Sequence, residues 1–201
     1  FNLDPYSAAG AIEETGITFL FAPVFHAAMK HAVKARREIG IRTIFNLLGP
    51  LVNPAGAGYH LLGVYSPSLT VTLGTVLSRL GVKGALVVHG AGRLDEVSTL
   101  GITRVTEVRQ GLVKTYEGTP DMFGLPVPRP EELQGGGAEK NAAIILSVLK
   151  GERGAARDIV VLNSAAALYA AGRTESILAG LQPACEAVDS GEALRRLELL
   201  K

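Results

Sequence analysis

The chain has 201 residues, with 20 Lys+Arg against 19 Asp+Glu for a formal charge of +1, and 47% hydrophobic against 19% charged residues. That is too apolar for disorder and too evenly charged for a polyanion binder, which carries a basic stripe. No run approaches the ~18 apolar residues of a membrane span, no secretory leader pattern heads the sequence, and the single Cys185 fits a reducing, cytoplasmic setting. In chain order, Asp4-Pro5 reads as cap and first turn of a helix to about Thr15, stopped by Gly16. Ile17 to Ala22 reads as a short buried strand, and Phe25 to Ile39 as a helix closed by Gly40. Thr43 to Leu48 is a short apolar stretch stopped by Gly49-Pro50, and Asn53-Pro54 starts a turn. Tyr59–Tyr65, Ser68–Leu80 and Lys83–His89 then predict strand, helix and strand, a crossover that implies parallel pairing.

Val105–Val108 and Leu112–Tyr116 flank Gln110-Gly111 and predict a hairpin at the sheet edge. Thr119 to Gly137, rich in Pro and Gly, reads as an ordered surface connection; helices follow over Ala138–Lys150 and Ala155–Ala171, and one or two more over Thr174–Leu200. The alternation predicts an α/β fold, a mainly parallel sheet flanked by helices. The chain opens on Phe1 rather than Met, which fits a processed or truncated piece of a longer protein.

Two stretches carry chemistry. Arg36, Arg37 and Arg42 surround the end of the expected helix ahead of the Gly49-Pro50 turn. A guanidinium offers a planar fork that matches a carboxylate or phosphate; the bland alternative is that the arginines solvate a helix end and complement its dipole. His89-Gly90-Ala91-Gly92-Arg93-Leu94-Asp95-Glu96 follows a Val-rich strand directly, and ligands of open parallel sheets gather at the carboxyl ends of strands. Adjacent carboxylates there suit Mg²⁺, which takes one or two carboxylates together with phosphates and water, although an acidic loop that caps a helix or faces solvent reads the same way. His26 beside aromatics reads more readily as a core residue than as a catalytic one, Gly135-Gly136-Gly137 as an anion-binding helix start or a hinge, and Cys185 as structural.

The run Gly40 to Leu51 with Asn53-Pro54, together with Phe19–Pro23 and His26, the loop His89 to Glu96, and Asn163-Ser164-Ala165-Ala166, resembles the anthranilate phosphoribosyltransferase family over nearly the whole chain. The resemblance implies the large α/β domain of the nucleoside phosphorylase/phosphoribosyltransferase type over residues 1–201, without its N-terminal portion. It also implies transfer of the phosphoribosyl group from phosphoribosyl pyrophosphate to anthranilate, with Mg²⁺ as cofactor, in a cytoplasmic homodimer of tryptophan biosynthesis. Neither a nucleic acid nor a membrane is an implied partner. By the same resemblance Arg36 contacts the anthranilate carboxylate, His26, Gly49 and Pro50 line the anthranilate channel, and Asp95 and Glu96 hold Mg²⁺ against the pyrophosphate. Members of the family carry, ahead of these motifs, a helical dimer-forming domain, a Gly-rich phosphoribosyl loop and a Lys-His-Gly-Asn segment. None of these is in the present sequence, so the 201 residues are expected not to turn over alone. A pyrimidine nucleoside phosphorylase and a non-enzymatic nucleic-acid-binding relative are the competing readings.

Overall fold

The computed structural model describes residues 3–25, 38, 40 and 45–200. They fall into two compact units, residues 1–56 with 195–201, and residues 57–194.

In the first unit, α1 (Pro5–Thr15) starts and stops as its sequence requires. The Asp4 carboxylate accepts from the N–H groups of Tyr6 at 2.9 Å and Ser7 at 3.1 Å, satisfying two donors that have no partner within the helix. The Ser7 hydroxyl, bonded to the same carboxylate, holds its pKa below the ordinary value. Gly16 (φ 79°) takes the left-handed conformation that ends the helix and donates to the Ile12 carbonyl. Arg196 donates to the Thr15 carbonyl at 2.9 Å and satisfies another terminal acceptor.

The strand expected over Ile17–Ala22 is not formed. Residues 17–21 are irregular, and Ala22–Phe25 is a single helical turn, α2. Ile17 and Phe19 are 51% and 52% exposed. A short apolar run does not by itself distinguish strand from coil, and among the described residues no strand lies beside this one to take its backbone hydrogen bonds. The helix expected over Phe25–Ile39 lies largely outside the described residues. The stretch before Gly49-Pro50 belongs to a helix, α3 (Phe45–Leu51), which contains Pro50 instead of stopping ahead of it. Proline removes one backbone donor, and the helix ends one residue later, with the Val52 N–H reaching the Leu48 carbonyl at 3.1 Å.

The second unit is built on a four-stranded sheet, order β1-β2-β3-β4, of Tyr59–Gly63, Gly84–Gly90, Thr103–Arg109 and Leu112–Gly118. β1 and β2 are parallel, in register Tyr59↔Gly84 to Gly63↔Val88, joined by the expected crossover helix α4 (Ser68–Arg79). The balance of pairings differs from a mainly parallel sheet: β2–β3 and β3–β4 are both antiparallel. No helix crosses between β2 and β3, and the hairpin supplies two of the four strands.

Side chains alternate across the sheet. Thr106 and Val108 face α4, where Gly74 leaves no room for a Cβ (2.6 Å from the Thr106 methyl). Leu86, Val88 and Val105 face the opposite way, into a core with Val161, Leu162 and Ala165 of α6 (Ala155–Ala170). Two more helices of this unit follow the order expected, α5 (Ala138–Leu149) and α7 (Ile177–Asp189); the last helix, α8 (Glu192–Leu199), belongs mostly to the first unit. Gly180 of α7 approaches the α6 backbone so closely that a Cβ would lie 2.8 Å from the Ala165 oxygen, which makes these two helices the most intimate pair on that face.

The hairpin turn holds Gln110 at φ 51° and Gly111 at φ 81°. Two consecutive positive φ values are the type I′ geometry that Asn-Gly fits best, and a long side chain at the first position costs ~1 kcal/mol of left-handed strain. Gln110→Asn is therefore expected to raise stability by about 0.5 kcal/mol or more, seen as a higher urea midpoint at unchanged slope; a lowered midpoint would show that the Gln110 side chain contributes more than its backbone costs.

Candidate active site

The site lies where the two parallel strands end. β2 is buried along almost its whole length, which its Ala-Leu-Val-Val sequence allows, and it finishes at Gly90 beside the end of β1 at Gly63. His89 donates from Nδ1 to the Val64 carbonyl at 2.7 Å and ties the two strand ends together. The chain then makes one tight turn, Ala91–Arg93, with positive φ at Gly92 and Arg93, and folds back so that the Gly90 N–H donates to the Leu94 carbonyl at 2.8 Å. This reversal lays Asp95 and Glu96 across the strand ends.

Two glycines make that path possible. A Cβ on Gly63 would sit 1.6 Å from the Asp95 carbonyl oxygen, and one on Gly90 would sit 2.6 Å from the Glu96 oxygen and 2.5 Å from the Ser98 Cβ. Any side chain at either strand end would lift the acidic loop. Downstream, the buried Ser98 donates its hydroxyl to the Ala91 carbonyl at 2.9 Å, and its N–H reaches Thr103 Oγ1 at 2.9 Å.

Asp95 and Glu96 both line one cleft of about 410 Å³, floored by Leu61, Gly63 and Val88 and walled by α6 at Asn163 and Ser164. Among the described residues no side chain bonds either carboxylate, and no third His, Cys, Asp or Glu joins them in a group that could hold a metal. Burial pushes the Glu96 carboxyl above its ordinary pKa, and the neighbouring Asp95 charge pushes it the same way. A divalent cation would relieve both effects. Two carboxylates that no other described side chain engages are a donor set Mg²⁺ accepts when phosphate and water complete its shell.

Of the residues read from sequence, then, Asp95 and Glu96 are brought together. Gly49 and Pro50 are on α3 of the first unit, half-buried and exposed respectively. Arg36 and His26 lie outside the described residues, as does His31. His60 is engaged by its own turn, with Nε2 at 2.9 Å from the Ala57 carbonyl. At Gly135-Gly136-Gly137 the Gly136 N–H already donates to Asn141 Oδ1 at 2.8 Å, and Asn141 Nδ2 donates back to the Gly136 carbonyl at 3.0 Å, so the loop closes on itself. Gly63, Gly90 and Asn163 shape the loop and its cleft and are given no role by the sequence reading. A glycine at the end of an otherwise apolar strand is the signal for a close backbone approach.

The sequence model described as glycosyl transferase family, a/b domain, matches residues 1–194. The chain belongs to this family. It is 50% identical over 197 residues to the anthranilate phosphoribosyltransferase of Acetivibrio thermocellus, covering 98% of this chain and 57% of that protein. It is also 50% identical over 199 residues to that of Moorella thermoacetica, covering 99% and 59%. Among solved structures, the anthranilate phosphoribosyltransferase of Thermus thermophilus superposes with a TM-score of 0.88 at 49% identity, over 95% of this chain and 56% of that one. The Saccharomyces cerevisiae enzyme in complex with PRPP and Mg superposes with a TM-score of 0.88 at 30% identity, over 99% and 57%. The chain thus spans just under three-fifths of the length of the curated relatives it matches.

Proposed function

We propose that these residues form the metal-binding α/β portion of an anthranilate phosphoribosyltransferase, a cytoplasmic, homodimeric enzyme of tryptophan biosynthesis. The reaction joins the anthranilate amino group to C1 of phosphoribosyl pyrophosphate and releases pyrophosphate. The observation that carries this reading is the pair of uncommitted carboxylates on a loop whose backbone is pinned across parallel strand ends, in a chain half-identical to such enzymes along almost all its length. Asp95 and Glu96 would hold Mg²⁺, which when bound supplies positive charge against the pyrophosphate leaving group. Arg36 would receive the anthranilate carboxylate in a two-pronged contact, with His26, Gly49 and Pro50 lining the channel to it. Chemistry of this kind asks the protein mainly for positioning and for charge placed ahead of the reaction.

The test uses an enzyme of the relatives' length that carries these residues, following anthranilate fluorescence with PRPP and Mg²⁺. Asp95→Asn with Glu96→Gln is expected to raise the Mg²⁺ concentration for half-maximal rate roughly a hundredfold or more, since each of the two lost charge-assisted contacts costs ~1.5–3 kcal/mol. The KM for anthranilate should stay within about twofold, because binding of a neutral-pH benzoate is assigned to other residues. In the unsubstituted enzyme, the raised Glu96 pKa means that protons compete with the cation at a higher pH than at an ordinary carboxylate, so the Mg²⁺ requirement should climb early on acidification. An unchanged Mg²⁺ titration in the double variant removes the role of the acidic pair; no consumption of anthranilate by the unsubstituted enzyme removes the whole reading.

A further inference from the structure

Resting on that reading of the acidic pair, we propose that Asn163 of α6 is the positioning residue that sets Asp95 and Glu96 in place. Its side chain grips the backbone of Val97, the residue next to Glu96, at two points: Oδ1 accepts from the Val97 N–H at 2.9 Å, and Nδ2 donates to the Val97 carbonyl at 2.8 Å. The second hydrogen of Nδ2 goes to the Ile159 carbonyl one turn back in α6, at 2.9 Å. All of these bonds are needed to fix the amide plane, and only a side-chain amide offers one acceptor and two donors in that geometry. The pair of bonds to Val97 reproduces what a neighbouring strand would give, at a place where the chain has left the sheet.

The rest of the loop shows why this grip matters. Upstream it is held by Gly90 to Leu94, and downstream by Ser98 to Ala91 and Thr103. Between these anchors lie Asp95, Glu96 and Val97, and among the described residues Asn163 supplies the side-chain contact to this span. The Val97 backbone groups are therefore satisfied, while among the described residues no side chain bonds either carboxylate, which is how a cation site is prepared in advance rather than assembled on binding. Asn163 itself lines the same cleft as the two acids, so a small shift of α6 would move the loop with it.

The experiment compares Asn163→Ala, Asn163→Asp and Val161→Ala with the unsubstituted chain. Val161 is a core residue two positions earlier on the same helix; it is not among the residues that line the cleft of the two acids. Two readouts are taken: hydrogen exchange of the Val97 amide, and Mn²⁺ affinity in the presence of inorganic pyrophosphate. Asn163→Ala should speed Val97 exchange and weaken Mn²⁺ binding, each roughly tenfold or more. Asn163→Asp keeps the acceptor for the Val97 N–H but loses the donor to its carbonyl, and should fall between. Val161→Ala should lower the unfolding midpoint with both readouts unchanged. Val97 exchange unaffected by Asn163→Ala, or affected equally by Val161→Ala, overturns the proposal. If Val97 exchange responds as expected but Asp95→Asn leaves Mn²⁺ affinity unchanged, it is the metal reading of the acidic pair that fails, and with it the role of Asn163 in positioning a cation site.

Discussion

Replacing Gly63 by Ala is expected to cost the protein its acidic loop. The new methyl group would lie 1.6 Å from the Asp95 carbonyl oxygen, less than half of a normal contact, and 2.4 Å from the carbonyl carbon. The neighbour is backbone, so no side chain can swing aside. β1 is paired with β2 along its length, which leaves the loop as the part that must move. Moving it breaks the Val97–Asn163 pairing and the Gly90–Leu94 closure. Overpacking of this kind costs ~1–3 kcal/mol, which for a chain of this size lowers the thermal midpoint by about 2–12 °C, read from the far-ultraviolet circular dichroism melt. The larger effect is expected on divalent-cation affinity, because the carboxylates travel with the backbone. Gly58→Ala is the matched comparison: its Cβ would meet only the flexible Lys83 side chain at 3.5 Å, and it should change neither property appreciably. Equal behaviour of the two variants would show that the Gly63 approach is not what shapes the site.

The second large effect concerns α6 and α7. Arg157 is a buried cation, its side chain only 4% exposed, with Nη2 2.7 Å from Asp189 Oδ1 at the end of α7. Among the described residues its Nε has no partner. Asp189 is much more open, at 39%, and also meets the solvent-exposed Arg153 at 3.3 Å. The two partners are therefore unequal. Asp189→Ala would leave a guanidinium buried without its counter-charge, a situation that costs ~3–5 kcal/mol and lowers the melting midpoint by about 6–20 °C. Arg157→Met would instead remove the buried charge and leave Asp189 with Arg153 and water; exchange of a buried ion for a well-packed apolar group is often near neutral. The expected order is thus Arg157→Met above Asp189→Ala by roughly 2 kcal/mol or more in urea-derived stability. The reverse order would mean that the arginine stem, rather than its charge, is what α6 and α7 need.

Different parts of this molecule were legible to different degrees, for reasons that follow from where the information sits. The helix from Pro5 to Thr15 was readable because Asp4, Pro5 and Gly16 act on their own neighbours. The β1-α4-β2 crossover and the hairpin at Gln110-Gly111 were readable because period and turn residues are local signals. Ile17 to Ala22 was misread because its apolar residues could be buried only by a partner strand, and none of the described residues provides one. In the sequence Pro50 reads as a stop, whereas a helix this short loses only one hydrogen bond to it.

Asp95 and Glu96 were recognisable as a candidate cation pair from residue type and from their place after a Val-rich strand. What the residue order alone determined is the list of chemical groups, the α/β alternation and the turns, since these depend on side chains a few positions apart. That both acids open on one cleft, that Gly63 must be without a side chain, and that an amide 66 residues away grips the loop were decided only by the tertiary structure. Each is a contact between chain segments remote in sequence, and its energy exists only once β1, β2 and α6 have been brought side by side.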